Sequence, residues 1–133
     1  MTSIGDFTKY VQIKYQMDYD GLKEYSSSMV GSAVVSIMGE FDRILLLVTD
    51  LGMKGISIFK TEVPKIYNDR IQSVLISDPS NPNSQMEIVN SIINAVNECC
   101  SSTGESGVRV VLDITHGYRL LPLLYFTALS YLT

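Results

Sequence analysis

A chain of 133 residues with a net charge of −4 and 46% hydrophobic content is long enough to bury roughly two thirds of its unfolded surface as one domain, without staples. The acidic balance argues against a general nucleic-acid binder, which carries a basic face or stripe; no DNA binding is expected, and a phosphate ligand must be held by a few local donors. Cys99 and Cys100 are neighbours in sequence and make no disulfide framework, so a reduced, cytoplasmic setting fits best.

Residues 1–7 carry no pattern and read as a remnant or a frayed end. Tyr10, Val11, Ile13, Tyr15 and Met17 predict a first strand over 8–17. Residues 18–28 read as a polar turn with Gly21 and three consecutive serines, any of which caps the following helix by accepting from a free first-turn amide. Met29, Val30, Ala33, Val34, Ile37 and Met38 recur at helical spacing up to a stop at Gly39. Residues 43–50 form a second strand, continuous from Ile44 to Val48 and ending in Thr49 and Asp50. The stretch 51–68 is open: a short helix, an extra strand or a ligand loop. A third core strand follows over 71–77, then a loop over 78–83. Ser84 with Glu87 three residues on reads as a capping box, opening a helix that runs to a 101–107 linker.

The informative stretch comes last. Val108, Val110, Val111, Leu112 and Ile114 read as a strand buried on both faces of a parallel sheet. The apolar run stops at Asp113-Ile114-Thr115-His116-Gly117-Tyr118-Arg119 and resumes as a core helix over 120–132, which is too short to span a bilayer and contains Pro122 and Ser130. No signal peptide is expected from the residues at the amino terminus. The pattern ends at Thr133 without a cap, so the natural polypeptide is expected to continue. The alternation of strands and helices predicts an α/β fold, a Rossmann-like parallel sheet in a three-layer sandwich, as a single domain over 1–133.

Ligands of such sheets bind outside the carboxyl ends of the strands, where this polar heptad falls. Gly117 permits close approach of backbone to an anion and the Thr115 hydroxyl can donate to phosphate oxygen; an ordinary strand-to-helix turn looks the same. Arg119 offers planar bidentate donors to phosphate, and is equally a solvated surface arginine. His116, the only histidine, reads as a hydrogen-bonding or stacking group in preference to a general base. With no partner cluster around it, no metal and no cofactor are expected. Asp113 reads as an acceptor for loop amides that fixes the turn. Tyr118 stacks on a base or covers the helix start. Thr49, Asp50 and Lys54 lie on the same rim as weaker contacts. Neither a Walker loop nor a GxGxxG fingerprint is present.

The heptad, followed by Leu121-Pro122-Leu123-Leu124, resembles the signature of CARF domains, the CRISPR-associated Rossmann-like sensors, in the branch of Csx1-like and Csm6-like type III effectors. Weaker likeness extends to the helices over 26–38 and 87–96 and the strand 44–50. The resemblance implies a homodimer that binds cyclic oligoadenylate, most often the four-membered ring, through Thr115, His116, Gly117, Tyr118 and Arg119, with Asp113, Thr49 and Asp50 beside them. A twofold ring suits an isologous dimer, each subunit offering the same loop and the same Arg119. The segment 18–25 stands where such domains carry a first ligand loop and lacks its glycine and threonine turn. No ribonuclease motif and no second domain fit in 133 residues, so the implied role is that of a sensor controlling a covalently linked effector, which could itself be membrane-anchored. The alternative is a metal-independent ring nuclease. It would convert the tetramer to linear di-adenylate by in-line attack of a ribose hydroxyl, positioned by Thr115 and His116 with charge from Arg119 or Lys54.

Overall fold

The structure, a computed structural model, describes residues 1–4, 12–103, 108–113 and 120–132. Its centre is β4 (Ile44–Val48), an unbroken aliphatic run with all five residues buried. A strand this apolar satisfies its backbone only by pairing on both sides and its side chains only by cover on both faces. It pairs in parallel with β1 (Thr2–Ile4) on one side and β5 (Ile71–Leu75) on the other. Because side chains alternate along a strand, Leu45 and Leu47 join a core with Ile88, Ile92, Leu124 and Tyr125 of α3 (Gln85–Thr103) and α4 (Leu121–Leu132). Ile44, Leu46 and Val48 enter a second core with Val35 of α1 (Val30–Met38) and Phe59 of α2 (Gly55–Glu62). Helices therefore cover both faces of a parallel sheet, the three-layer α/β arrangement expected.

A fourth segment joins the sheet at β1. The Met1 nitrogen donates to the Val111 carbonyl at 2.6 Å and the Asp113 amide donates to the Met1 carbonyl at 2.9 Å. That pair of bonds is the repeat of a parallel ladder, so 111–113 lies beside β1, on the side away from β4. Among the described residues it is an edge, not the doubly buried strand expected: Val108 and Val110 are exposed and 111–113 only half-buried. Ile114 falls outside the described residues. β5 is likewise an edge, with Leu75 exposed.

The N-terminal region departs most from expectation. The first sheet strand is Thr2–Ile4, too short to produce a periodic signal. The expected strand over 8–17 is instead, from residue 13, one arm of a hairpin: β2 (Ile13–Asp18) pairs antiparallel with β3 (Leu22–Ser27). The polar turn expected over 18–28 shrinks to the tip, where Asp20 (φ 52°) and Gly21 (φ 100°) take left-handed conformations that glycine tolerates best. The strand formers of 13–17 are real, but they pair locally and stay largely exposed.

No serine caps α1. Its N-cap is Met29, without a side-chain cap bond, and the serines turn to Glu62 at the end of α2. The Glu62 carboxylate accepts from Ser27 Oγ at 2.7 Å, from Ser28 Oγ at 2.6 Å and from Ser32 Oγ at 3.2 Å, with the Ser28 amide at 3.2 Å and Gln12 Nε2 at 2.9 Å. Its carbonyl accepts from the Tyr25 hydroxyl. One carboxylate thus fastens the root of the hairpin to the first turn of α1. The capping box is also absent: Ser84 Oγ donates to the carbonyls of Asp78 and Asn81, and Asn81 caps a short 3-10 turn by accepting from the Asn83 amide. α3 begins after it and reaches Thr103, past the expected start of the linker. The open stretch 51–68 resolves into α2 between two 3-10 turns, Asp50–Gly52 and Lys65–Arg70.

α1 approaches β1 closely. A Cβ on Gly31 would lie 2.4 Å from Thr2 Oγ1 and 2.9 Å from Thr2 Cγ2, and Thr2 is buried and stiff at χ1. Gly31→Ala is expected to destabilise the fold by about 1–3 kcal/mol through overpacking, despite the better helix propensity of alanine, as a lowered midpoint in chemical denaturation. For Glu62, burial raises the carboxyl, but the bonds from Ser28, Ser27 and Ser32 outweigh it and hold the group below its ordinary value of 4.5. A depressed carboxyl stabilises the fold above that value, and the gain is lost as pH falls through the lower folded-state value. Glu62→Gln is expected to cost about 1–3 kcal/mol at pH 7 and to flatten the acid limb of stability against pH below 4.5, measured by denaturation at stepped pH.

Candidate functional site

The order of parallel segments is 111–113, β1, β4, β5. From β1 the chain winds outward through β4 to β5, then returns to place 111–113 on the opposite side of β1. The point where winding reverses, between β1 and 111–113, is where open α/β sheets part their loops and leave a crevice at the carboxyl edge. β1 leads into that edge at Ile4 and the fourth segment leads into it at Asp113.

Asp113 is anchored there. Thr2 Oγ1 donates to Asp113 Oδ2 at 2.8 Å across the two neighbouring segments, a charge-assisted bond in a half-buried position. Gly31 of α1 sits against the same Thr2. On the other face, the Tyr125 ring is fully buried in the α3–α4 core, next to Ser3. Burial, and less strongly the Asp113 carboxylate, push its hydroxyl well above the ordinary phenol range. The phenol therefore stays neutral. The described acceptor role of Asp113 is toward a hydroxyl of the adjacent strand, a partner that the sequence expectation of loop amides did not contain.

Thr49 and Asp50 follow β4 onto the same carboxyl edge, as strand direction predicted. Thr49 is buried, whereas Asp50 is exposed and opens the 3-10 turn that follows. Two strand spacings, roughly 10 Å, separate their strand from 111–113. Lys54 is exposed at the start of α2. Thr115, His116, Gly117, Tyr118 and Arg119 lie outside the described residues. The described elements bracket them: Asp113 precedes them at the sheet edge and Leu121 follows as the first residue of α4.

Sequence reasoning missed Thr2, Gly31 and Tyr125. Thr2 sits in a strand too short for periodicity. Gly31 did carry a signal, since a glycine inside a helical pattern marks close packing or a stop, but its partner was out of reach of local reading. Tyr125 reads as one more apolar residue of a core helix.

Among the described residues, no helix is long and apolar enough to cross a membrane. Neither the curated proteins nor the solved structures provide a match. A family model described as the CARF domain of the CRISPR system endoribonuclease Csx1 matches residues 1–133. That match over the whole length, on a chain whose Asp113 stands at the switch point of a Rossmann-like parallel sheet, shows that the chain belongs to the CARF domains of the Csx1/Csm6-like type III CRISPR effectors.

Proposed function

We propose that this domain is a cytoplasmic sensor that binds cyclic oligoadenylate, with cyclic tetra-adenylate as the preferred ring, and controls a linked effector. The observation that carries this reading is the placement of Asp113, the first residue of the heptad, at the switch-point crevice of a member of the CARF family. The ligand contacts are assigned to Thr115, His116, Gly117, Tyr118 and Arg119, with Asp113 fixing the base of the loop and Thr49 and Asp50 flanking it. An acidic chain binds an anionic ring through donors concentrated at one loop, and a dimer doubles them.

The dimer is part of the proposal, and α4 supports it. Its inward face supplies Leu121, Leu124, Tyr125 and Ala128 to the core, yet Leu120 just before it and Leu123, Phe126 and Tyr131 along it are exposed. Leu120, Leu123 and Phe126 fall three residues apart, so they share one face of the helix, beginning directly after the ligand loop. A second copy seated on this face brings its own loop beside the first, as a twofold ring requires.

Titration calorimetry with cyclic tetra-adenylate is expected to give saturable binding with one ring per two chains, and Arg119→Ala to weaken it at least tenfold; no binding at micromolar concentrations, or an unchanged Arg119→Ala, overturns the assignment. Chromatography of the same mixture after hours separates sensor from enzyme. Intact ring is the expected result, and linear di-adenylate would establish the ring-nuclease alternative with Lys54 and His116 as the first residues to replace. Phe126→Glu places a charge in the proposed interface, and is expected to yield a folded monomer by light scattering that binds the ring at least tenfold more weakly.

A further inference from the structure

At the amino edge of the sheet, opposite the edge where Thr49 and Asp50 lie, a cavity opens. Its inner part, about 110 Å³, runs between the starts of β1 and β4 and the 108–111 backbone. The walls come from both helical layers: Val34 and Val35 of α1, Val96 of α3, with Phe41, Ile44 and Val110. It widens into an outer chamber of about 350 Å³ that shares Phe41, Arg43, Cys99 and Arg109 and reaches Tyr19 at the hairpin tip.

The charges are unevenly placed. Arg43 and Arg109 line both the slot and the chamber. Neither makes a hydrogen bond or ion pair with another described residue; Arg70, by contrast, donates to the Phe41 carbonyl at 2.9 Å. Glu40 and Asp42 border the outer chamber alone. Among the described residues that line the inner end, the one carboxylate is Asp113, already bonded to Thr2. Cys99 adds no charge, since burial raises its thiol above the ordinary value. Two guanidiniums with no acidic partner among the described residues stand at the mouth of an apolar slot, in a chain of net charge −4, and a hydrophobic floor with a cationic rim suits an anionic amphiphile.

We propose that this amino-edge slot binds a small amphiphile: an unbranched apolar tail in the slot and a single anionic head, carboxylate or phosphate monoester, between Arg43 and Arg109. At roughly 30 Å³ per water-sized group, the slot holds about four such groups, the length of the tail beyond the first methylene in hexanoate. An occupant that fills it reaches Asp113 and Thr2, so the site abuts the root of the ligand crevice and shares Asp113 with it.

The test is a titration followed by backbone-amide NMR, using hexanoate, hexyl phosphate, hexylammonium and hexanol. Saturable shifts centred on Val34, Phe41, Arg43, Val96 and Val110 with the anions, at least tenfold tighter than with hexanol or hexylammonium, are expected. Preference between hexanoate and hexyl phosphate then separates a carboxylate from a phosphate source, either one supporting the site. Equal binding of all four, or shifts mapping elsewhere, overturns it. Val34→Phe fills the slot and should abolish the shifts. Should that variant not fold, the exposed pair Arg43→Gln with Arg109→Gln should weaken hexanoate at least tenfold while leaving hexanol unchanged, and an unweakened hexanoate overturns the proposal.

Discussion

Both cores of this domain meet in β4, and the constraint is geometric. Five consecutive aliphatic residues cannot leave either face in water, so Leu45 and Leu47 demand cover on one side while Ile44, Leu46 and Val48 demand it on the other. Each buried side chain of this size is worth about 1.5–3 kcal/mol, which is enough to draw α3 and α4 to one face and α1 and α2 to the other. Parallel pairing follows, because strands covered by helices on both faces are joined by crossovers and not by hairpins. With the first connection running outward to β4 and β5, the remaining place beside β1 falls to 111–113. The reversal of winding that creates the crevice is thus a consequence of how β4 is buried.

The same constraint decides which parts of the fold were legible in the sequence. β4, α1, α3 and α4 announce themselves because tertiary burial and local pattern agree over nine or more residues, or over a run of five with no polar interruption. β1 was invisible at three residues: its identity comes from neighbours, Leu46 to Val48 on one side and 111–113 on the other, and no local window contains them. The hairpin deceived for the opposite reason. Tyr15, Met17 and Tyr25 have strong strand propensity, but propensity does not say whether the partner strand is in the main sheet or three residues away. The caps failed because a hydroxyl spends its bonds where the best acceptor lies. Ser27 and Ser28 found the Glu62 carboxylate, more than thirty residues on, a stronger acceptor than the local alternatives.

The site divides in the same way. The heptad itself is legible as a polar interruption between a strand and a helix, and its likeness to the CARF signature agrees with the family match. What holds the strand end is not legible: Thr2 sits 111 residues from Asp113 in sequence, and Gly31, which presses α1 onto Thr2, shows its purpose only once β1 is known to exist. Asp113, Thr2 and Gly31 form a chain of contacts from the fourth segment through β1 to the first helix. A shift of Asp113 therefore meets α1 through two stiff contacts, a buried β-branched side chain and a helix without room for a single added methyl group.

That coupling bears on how an acidic domain handles anions at all. With a net charge of −4, long-range attraction does not favour a polyanion, and affinity must come from donors placed where nothing else consumes them. Arg70 is already committed to the Phe41 carbonyl and the Tyr67 ring. Arg43 and Arg109 stand at the amino edge, and Arg119 follows Asp113 in sequence as the last residue of the heptad. Arg109 and Arg119 lie on either side of Asp113 in one continuous segment, four residues before it and six after. A displacement of 108–113 along or away from β1 therefore moves Arg109 and Asp113 together, and it works against the Thr2 bond to Asp113 and the two backbone bonds to Met1.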